Sequence, residues 1–336
     1  MRLASYNVEW FDALFTDDGD LADTDAWSRR RDVTRRQQIE ALERVFRAID
    51  ADAIMVIEAP DHSARRSGIR ALETFAQAFD LRTSRAVIGF PNQTQQEIAL
   101  LYDPATMEVT HDPQGMTGTP DAPRFDGVFH IDLDVDAAED EVVFSKPPLE
   151  LSVRTARGTA LRMLGVHLKS KAPHGAETRD DVMRLSIANR RKQLAQAIWL
   201  RRRIDAHLAR GESLILMGDL NDGPGLDEYE HLFGRSSVEI VMGEAPLALH
   251  DPHARQALLR KLSAAPTSAR LFIQPEQRYL QALLDYIMLS PDLMEHAPRW
   301  RIWHPFDDPE CWSSPDLRAA LIAASDHFPV VLDIDI

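Results

Sequence analysis

The chain has 336 residues, of which 44% are apolar and 27% charged, and a formal net charge of −15. Its length fits one large unit or two smaller ones, and its composition is that of a globular protein. No apolar run is long enough to span a bilayer, and the lone cysteine, Cys311, excludes an internal disulfide framework and a multi-cysteine zinc site. Such an acidic chain is a poor general binder of duplex DNA, because that affinity comes from neutralising phosphates. A local basic groove is still compatible with an acidic body. The first residues, Met1 to Asn7, lack the zones of a secretory signal. The protein is therefore expected to be cytoplasmic, or secreted only if a leader has been removed.

In chain order, Arg2 to Val8 reads as a strand and Gln37 to Ile49 as a helix, with Ile39, Leu42, Val45, Phe46 and Ile49 at helical spacing. Ala53 to Ile57 is a short branched run that stops at Glu58, and Ile69 to Phe79 is again helical. Strands are expected at Ile98 to Tyr102, Val128 to Leu133, Leu149 to Thr155 and Leu161 to Val166. Arg179 to Arg210 reads as a long helix, with Leu185, Ala188, Leu194, Ile198 and Leu208 on one stripe and a solvated basic face opposite. Leu214 to Met217, Leu284 to Leu289 and Val330 to Ile336 complete the strands. No linker or repeat interrupts the alternation, so one domain over residues 1–336 is expected. Two polar stretches read as insertions, near 12–36 (acidic, then basic from Arg29 to Arg36) and near 303–325. Polar stretches of this kind are most often simply solvated, but both adjoin strand ends that carry candidate site residues, which makes substrate selection the competing expectation.

Chemistry-bearing residues gather at those strand ends. Asp219 and Asn221 in Gly218-Asp219-Leu220-Asn221-Asp222 are two apart, so on extended backbone they share a face. A carboxylate there would orient or deprotonate a water while the amide donates to a phosphate oxygen; the competing reading is a turn. Asp285 interrupts the apolar run Leu284 to Met288 and needs a partner if buried. An Asp beside a His fixes the imidazole tautomer, and Ser325-Asp326-His327 supplies that His together with a second acid. Asn7, Glu9 and Glu58 add an amide and two acids. Hard oxygen ligands of this kind suit Mg²⁺ or Mn²⁺ better than zinc. Glu58 is the stronger ligand candidate, and Glu9 is either a second ligand or an exposed acid. In Val166-His167-Leu168-Lys169-Ser170-Lys171 the imidazole and Lys169 are candidate phosphate contacts, with Lys171 expected in a solvated loop. Glu97, opening the strand before Ile98, is a candidate partner for His167.

Taken as an ordered set, these segments resemble the endonuclease/exonuclease/phosphatase superfamily, whose fold is shared with deoxyribonuclease I. Asn7 with Glu9 resembles its first-strand motif and Glu58 its metal-binding glutamate. His167 matches the His of the deoxyribonuclease-like branch, and Asp219 with Asn221 its Gly-Asp-x-Asn motif. Asp285 falls in its Asp-Tyr-Ile segment and Asp326-His327 in its closing Ser-Asp-His. The likeness runs from residue 7 to residue 327. It implies a four-layer α/β/β/α sandwich of two mixed sheets flanked by helices, using Mg²⁺ or Mn²⁺ for in-line attack of water on phosphoesters. It further implies that Glu58 holds the metal with Asn7 and Asp326, and that Asp219 activates the water. Asn221, His167 and His327 would then stabilise charge on phosphorus, with Asp285 orienting His327. Two departures stand out. Ile57 replaces the Gln that often precedes the metal glutamate, and Lys146 in Ser145-Lys146-Pro147-Pro148 stands where Arg is usual, as a phosphate contact.

The expected function is a metal-dependent nuclease or phosphodiesterase acting on a phosphoester substrate, with nucleic acid as one candidate and no obligate protein partner. A non-nucleic-acid phosphoesterase of small molecules or lipid headgroups is the alternative, and an inactive binding protein a third. Substrate choice is not fixed by fold.

Overall fold

The computed structural model describes residues 1–115, 122–132, 139–173, 175–223, 233–259, 265–274 and 276–336. Its first sheet has six strands in the order β14 (Arg299–Ile302), β15 (Val330–Asp333), β1 (Arg2–Asn7), β2 (Ala53–Ala59), β4 (Glu97–Tyr102) and β3 (Arg85–Ile88). The second has five: β13 (Asp285–Leu289), β10 (Leu214–Asp219), β9 (Ala160–His167), β8 (Leu149–Thr155) and β5 (Met107–His111). Both sheets are mixed, because β1 runs parallel to β2 and β10 parallel to β9 while their other pairings are antiparallel. Two hairpins stand apart, β6 (Phe129–Ile131) with β7 (Asp140–Val142) and β11 (Ala269–Ile273) with β12 (Arg278–Ala282).

Alternation along the strands decides how the layers stack. Leu3, Met55, Ile57, Leu100, Met163 and Met217 form the core between the sheets. The opposite face of the first sheet packs on α1 (Arg35–Ile49), α2 (Gly68–Ala78) and α7 (Pro315–Ala324) through residues such as Phe46, Phe75 and Leu321. That of the second packs on α3 (Arg179–Ala209) and α4 (Ser237–Met242), around Trp199, Leu200 and Val241. The result is the expected helix–sheet–sheet–helix arrangement. Among the described residues no helix is long and apolar enough to cross a membrane.

Every expected strand forms, with bounds shifted by up to a few residues; Leu133 lies outside the described residues. The helices at 37–49, 69–79 and 179–210 also form. Three expectations need correction. The stripe of α3 holds in part: Leu194 is buried and Ile198 and Leu208 pack against the core, but Ala188 is exposed and the core face also carries Gln193, Gln196, Leu200, Ile204 and His207. The basic face is not simply solvated either, since Arg190 and Arg203 are buried. Residues 303–325 are largely helical, with α6 (Pro309–Ser313) leading into α7, which buries Leu321 and Ala324 against the α1 layer.

Candidate active site

The strand ends bring the predicted residues together at one edge of both sheets. Across three neighbouring strands of the second sheet, His167, Asp219 and Asp285 are in register, His167 opposite Asp219 and Asp219 opposite Asp285. Gly218 makes this row possible, because its φ is +139° and a Cβ there would lie 2.0 Å from the Val166 carbonyl oxygen. The first sheet contributes Asn7 at the end of β1 and Glu58 near the end of β2. A bulge between Ile57 and Ala59 puts Glu58 at φ +60° and re-aims its side chain. Ser325 stitches the chain's two ends together: its hydroxyl donates to the Asn7 carbonyl (2.8 Å) and accepts from the Glu9 and His327 amides (3.1 and 3.2 Å).

Asp285 holds His327 at Nδ1, 2.7 Å away, and its same oxygen accepts from the Ser268 hydroxyl at 2.8 Å. That contact fixes the proton on Nδ1 and leaves Nε2 for chemistry. Burial opposes the charged imidazole, yet Asp285 in contact, helped by Asp219 and Asp326, holds His327 well above its ordinary value. Asp219 accepts from the Asn221 amide (2.7 Å) and from Asn7 Nδ2 (3.1 Å). Burial, and then the neighbouring Asp285, push its carboxyl up to about 7. One oxygen or nitrogen from each of Asp219, Asp285 and His327 lies within 4.8 Å of the others.

His167 sits 3.7 Å from Asp219 and has the Lys146 ammonium 3.1 Å from its ring nitrogens. Burial and then Lys146 drive its pKa well below the ordinary value. Burial also lowers Lys146, against the pull of Glu58 and Asp219, and burial with Lys192 lowers Lys169. Glu97 takes a different partner from the expected one. Its carboxylate accepts from the Asn92 side chain at 2.7 Å and from the Asn92 and His62 amides, while His167 meets Lys146 and Asp219.

Glu9, Glu58 and Asp326 form a second, acidic group. Burial followed by Asp326 raises Glu9 to about 7, even though Arg30 contacts it at 2.7 Å. Burial likewise raises Glu58, which accepts from the Trp10 amide at 3.1 Å. Beside them the Asn7 Oδ1 atom is buried with no hydrogen-bond partner among the described residues. These carboxylates, which raise one another, and the orphaned amide oxygen are hard-oxygen groups of the kind a divalent cation takes. The Asp219–Asp285–His327 group also offers cation ligands: Asp285 Oδ1 is buried with no hydrogen-bond partner among the described residues, while the other Asp285 oxygen already bonds His327 Nδ1.

The loops are held from behind by residues that gave little sequence signal. Gln193 on α3 donates Nε2 toward the carbonyls of Lys169 (2.9 Å), Leu220 (3.2 Å) and Asn221 (3.0 Å). Asn221 Nδ2 in turn reaches the Leu168 carbonyl at 3.0 Å, which leaves its second amide hydrogen for a ligand. Lys171, expected in solvent, instead bonds the buried Asp222 at 2.5 Å, as does Arg190 at 3.0 Å. Ser268 and Gln193 are unremarkable in sequence because only the tertiary fold brings them to the site; Asp222 and Ser325 at least lie inside the motifs. A cavity of about 710 Å³ between α3 and the residues around Pro246 is lined by none of the predicted site residues.

The family model described as "Endonuclease/Exonuclease/phosphatase family" matches residues 4–327. No curated protein sequence matches the chain significantly. Among solved structures, truncated TDP2 from Caenorhabditis elegans is similar at a TM-score of 0.50 and 13% identity, covering 100% of this chain and 97% of that one. Another structure of C. elegans TDP2 gives 0.51 at 13% identity, over 100% of this chain and 75% of that one. The human nocturnin catalytic domain with bound sulfate gives 0.47 at 13% identity, over 99% and 94%. At these identities the likeness is one of fold.

Proposed function

The chain belongs to the endonuclease/exonuclease/phosphatase family of phosphoester hydrolases, with a deoxyribonuclease-I-like fold, and from that premise we propose that it is a divalent-metal-dependent nuclease or phosphodiesterase. The observation that carries this reading is the meeting of an Asp–His pair and a buried carboxylate with a separate, self-repelling acidic group at one sheet edge. The same reading takes residues 1–336 as one catalytic domain, supported by β1 lying between β15 and β2.

In this scheme Asn7, Glu58 and Asp326, with Glu9 beside them, would hold Mg²⁺ or Mn²⁺. The ion supplies Lewis-acid stabilisation of charge on the phosphate. Asp219, steadied by Asn7 and the Asn221 amide, accepts a proton from the attacking water. His327, charged and oriented by Asp285, donates from Nε2 to an oxygen on phosphorus. Lys146 and Lys169 offset the remaining charge, while the His167 ring and the free hydrogen of Asn221 hydrogen-bond the phosphate oxygens.

The test is turnover of bis-p-nitrophenyl phosphate, DNA, RNA and inositol phosphates with Mg²⁺ or Mn²⁺. Asp219→Ala and His327→Ala should each lower kcat about 10²–10⁴-fold. Activity that survives both substitutions overturns the site. Preference for inositol phosphates or lipid headgroups supports the alternative reading, which the net charge of −15 favours.

A further inference from the structure

Three arginines of the basic run in the 12–36 insertion, Arg29 to Arg31, make contacts around this site. Arg30 reaches inward to Glu9. Arg31 lies 3.4 Å over the Phe272 ring of the β11–β12 hairpin and is also paired with Asp32. Arg29 lies 4.9 Å over Trp10, the residue whose amide holds Glu58. From the hairpin, Arg270 stacks 3.5 Å over Tyr279 and 5.4 Å from Phe306. Its backbone amide bonds the Asp326 carbonyl at 2.7 Å, next to the bridge between Ala269 and His327.

Two of these guanidiniums differ from the rest. Arg29 and Arg270 have ring contacts but no carboxylate partner among the described residues. The acids of the same rim are already engaged: Asp307 with His304, Asp308 with Arg301, and Glu276 with Arg278. A stacked guanidinium keeps its N–H edge free, and that edge matches a phosphate. The rings around Arg270 are open as well, with Tyr279 43% and Phe306 38% exposed.

We infer that Arg29 and Arg270 bind non-reacting phosphates on either side of the scissile one, and that the substrate is a single-stranded nucleic acid. A local basic rim is compatible with an acidic body, and exposed rings offer stacking surfaces for unpaired bases. The inference rests on the phosphodiesterase reading of the centre and adds a substrate class to it.

Arg29→Met and Arg270→Met keep the aliphatic stems and remove the charge. The control is Arg202→Met, which removes another ring-stacked arginine, 5.0 Å over Phe129 on the α3 side. Binding of a fluorescein-labelled single-stranded oligonucleotide is measured by anisotropy against salt, alongside kcat/KM for that oligonucleotide and for bis-p-nitrophenyl phosphate. Each rim variant should bind about tenfold more weakly, with the slope of log Kd on log salt reduced by about one. Its loss of kcat/KM should be about tenfold larger on the oligonucleotide than on the one-phosphate substrate, and Arg202→Met should change neither. Equal losses on both substrates, an unchanged salt slope, or the same effect from Arg202→Met overturns the inference. Absence of bis-p-nitrophenyl phosphate turnover by the unmodified protein overturns the phosphodiesterase reading instead, and the anisotropy still decides the rim.

Discussion

Trp10, Glu58 and Asn221 all have left-handed backbone, at φ +55°, +60° and +50°. A bulky residue in that region costs about 1–3 kcal/mol, and here the three stand together at the two sheet edges. The strain aims one acid and one amide into a shared cleft. Asp219, Asn221, Asp285 and His327 were legible in sequence because each breaks or ends an apolar run. Ser268 was not, because its link to Asp285 is made across the base of the β11–β12 hairpin and needs that pairing to close it. Away from the site, Glu212 gives a residue-scale test. Burial opposes its charged form, but hydrogen bonds from His207 and Arg210, with Arg162 nearby, lower it from 4.5 to about 2. A depressed carboxylate contributes stability above its unfolded value, and that contribution is lost as pH falls through the folded one. Glu212→Gln should therefore destabilise the protein by about 1–3 kcal/mol near neutral pH. Denaturant melts of the two proteins should converge as pH approaches about 2; a gap independent of pH contradicts the assignment.

Among the elements, α3 does the most to align the catalytic loops. Asn189, Arg190, Gln193 and Gln196 take hold of residues 169–172 and 220–222 and of Val143. The sequence stripe missed this because polar side chains occupy the buried face, where periodicity arguments expect apolar ones. The strands β3, β5, β7, β11, β12 and β14 were missed for a related reason: they are short and carry charged or polar residues at half-exposed positions. If Gln193 acts by holding Asn221, the two substitutions should not add. Gln193→Ala should lower kcat about tenfold or more in the wild-type background and have little further effect in Asn221→Ala. Full additivity in that double-mutant cycle would mean that Gln193 serves stability alone.

At the scale of the whole molecule, the two sheets matter because their edges coincide. Gly165 lets them approach, since a Cβ there would lie 2.5 Å from Met55 Sδ and 2.8 Å from Ile98. The alternation of short strands and helices was legible in the sequence, and the resemblance carried by the ordered motifs implied the sandwich and the candidate site. What remained hidden was which polar segments close over the cleft, because the contacts of residues 29–31 and 270–306 are set by packing between distant parts of the chain. Net charge was a weak guide for the same reason: most of the rim's acids are spent on local partners. The central claim is metal-dependent phosphoester hydrolysis at the shared edge. It is tested most directly by chelating the protein, then titrating Mg²⁺ or Mn²⁺ back while following bis-p-nitrophenyl phosphate turnover, in parallel with Glu58→Gln. Turnover should vanish on chelation and return saturably, with the variant needing about 10–100-fold more metal. Full turnover in excess chelator, or identical metal dependence in Glu58→Gln, would contradict it.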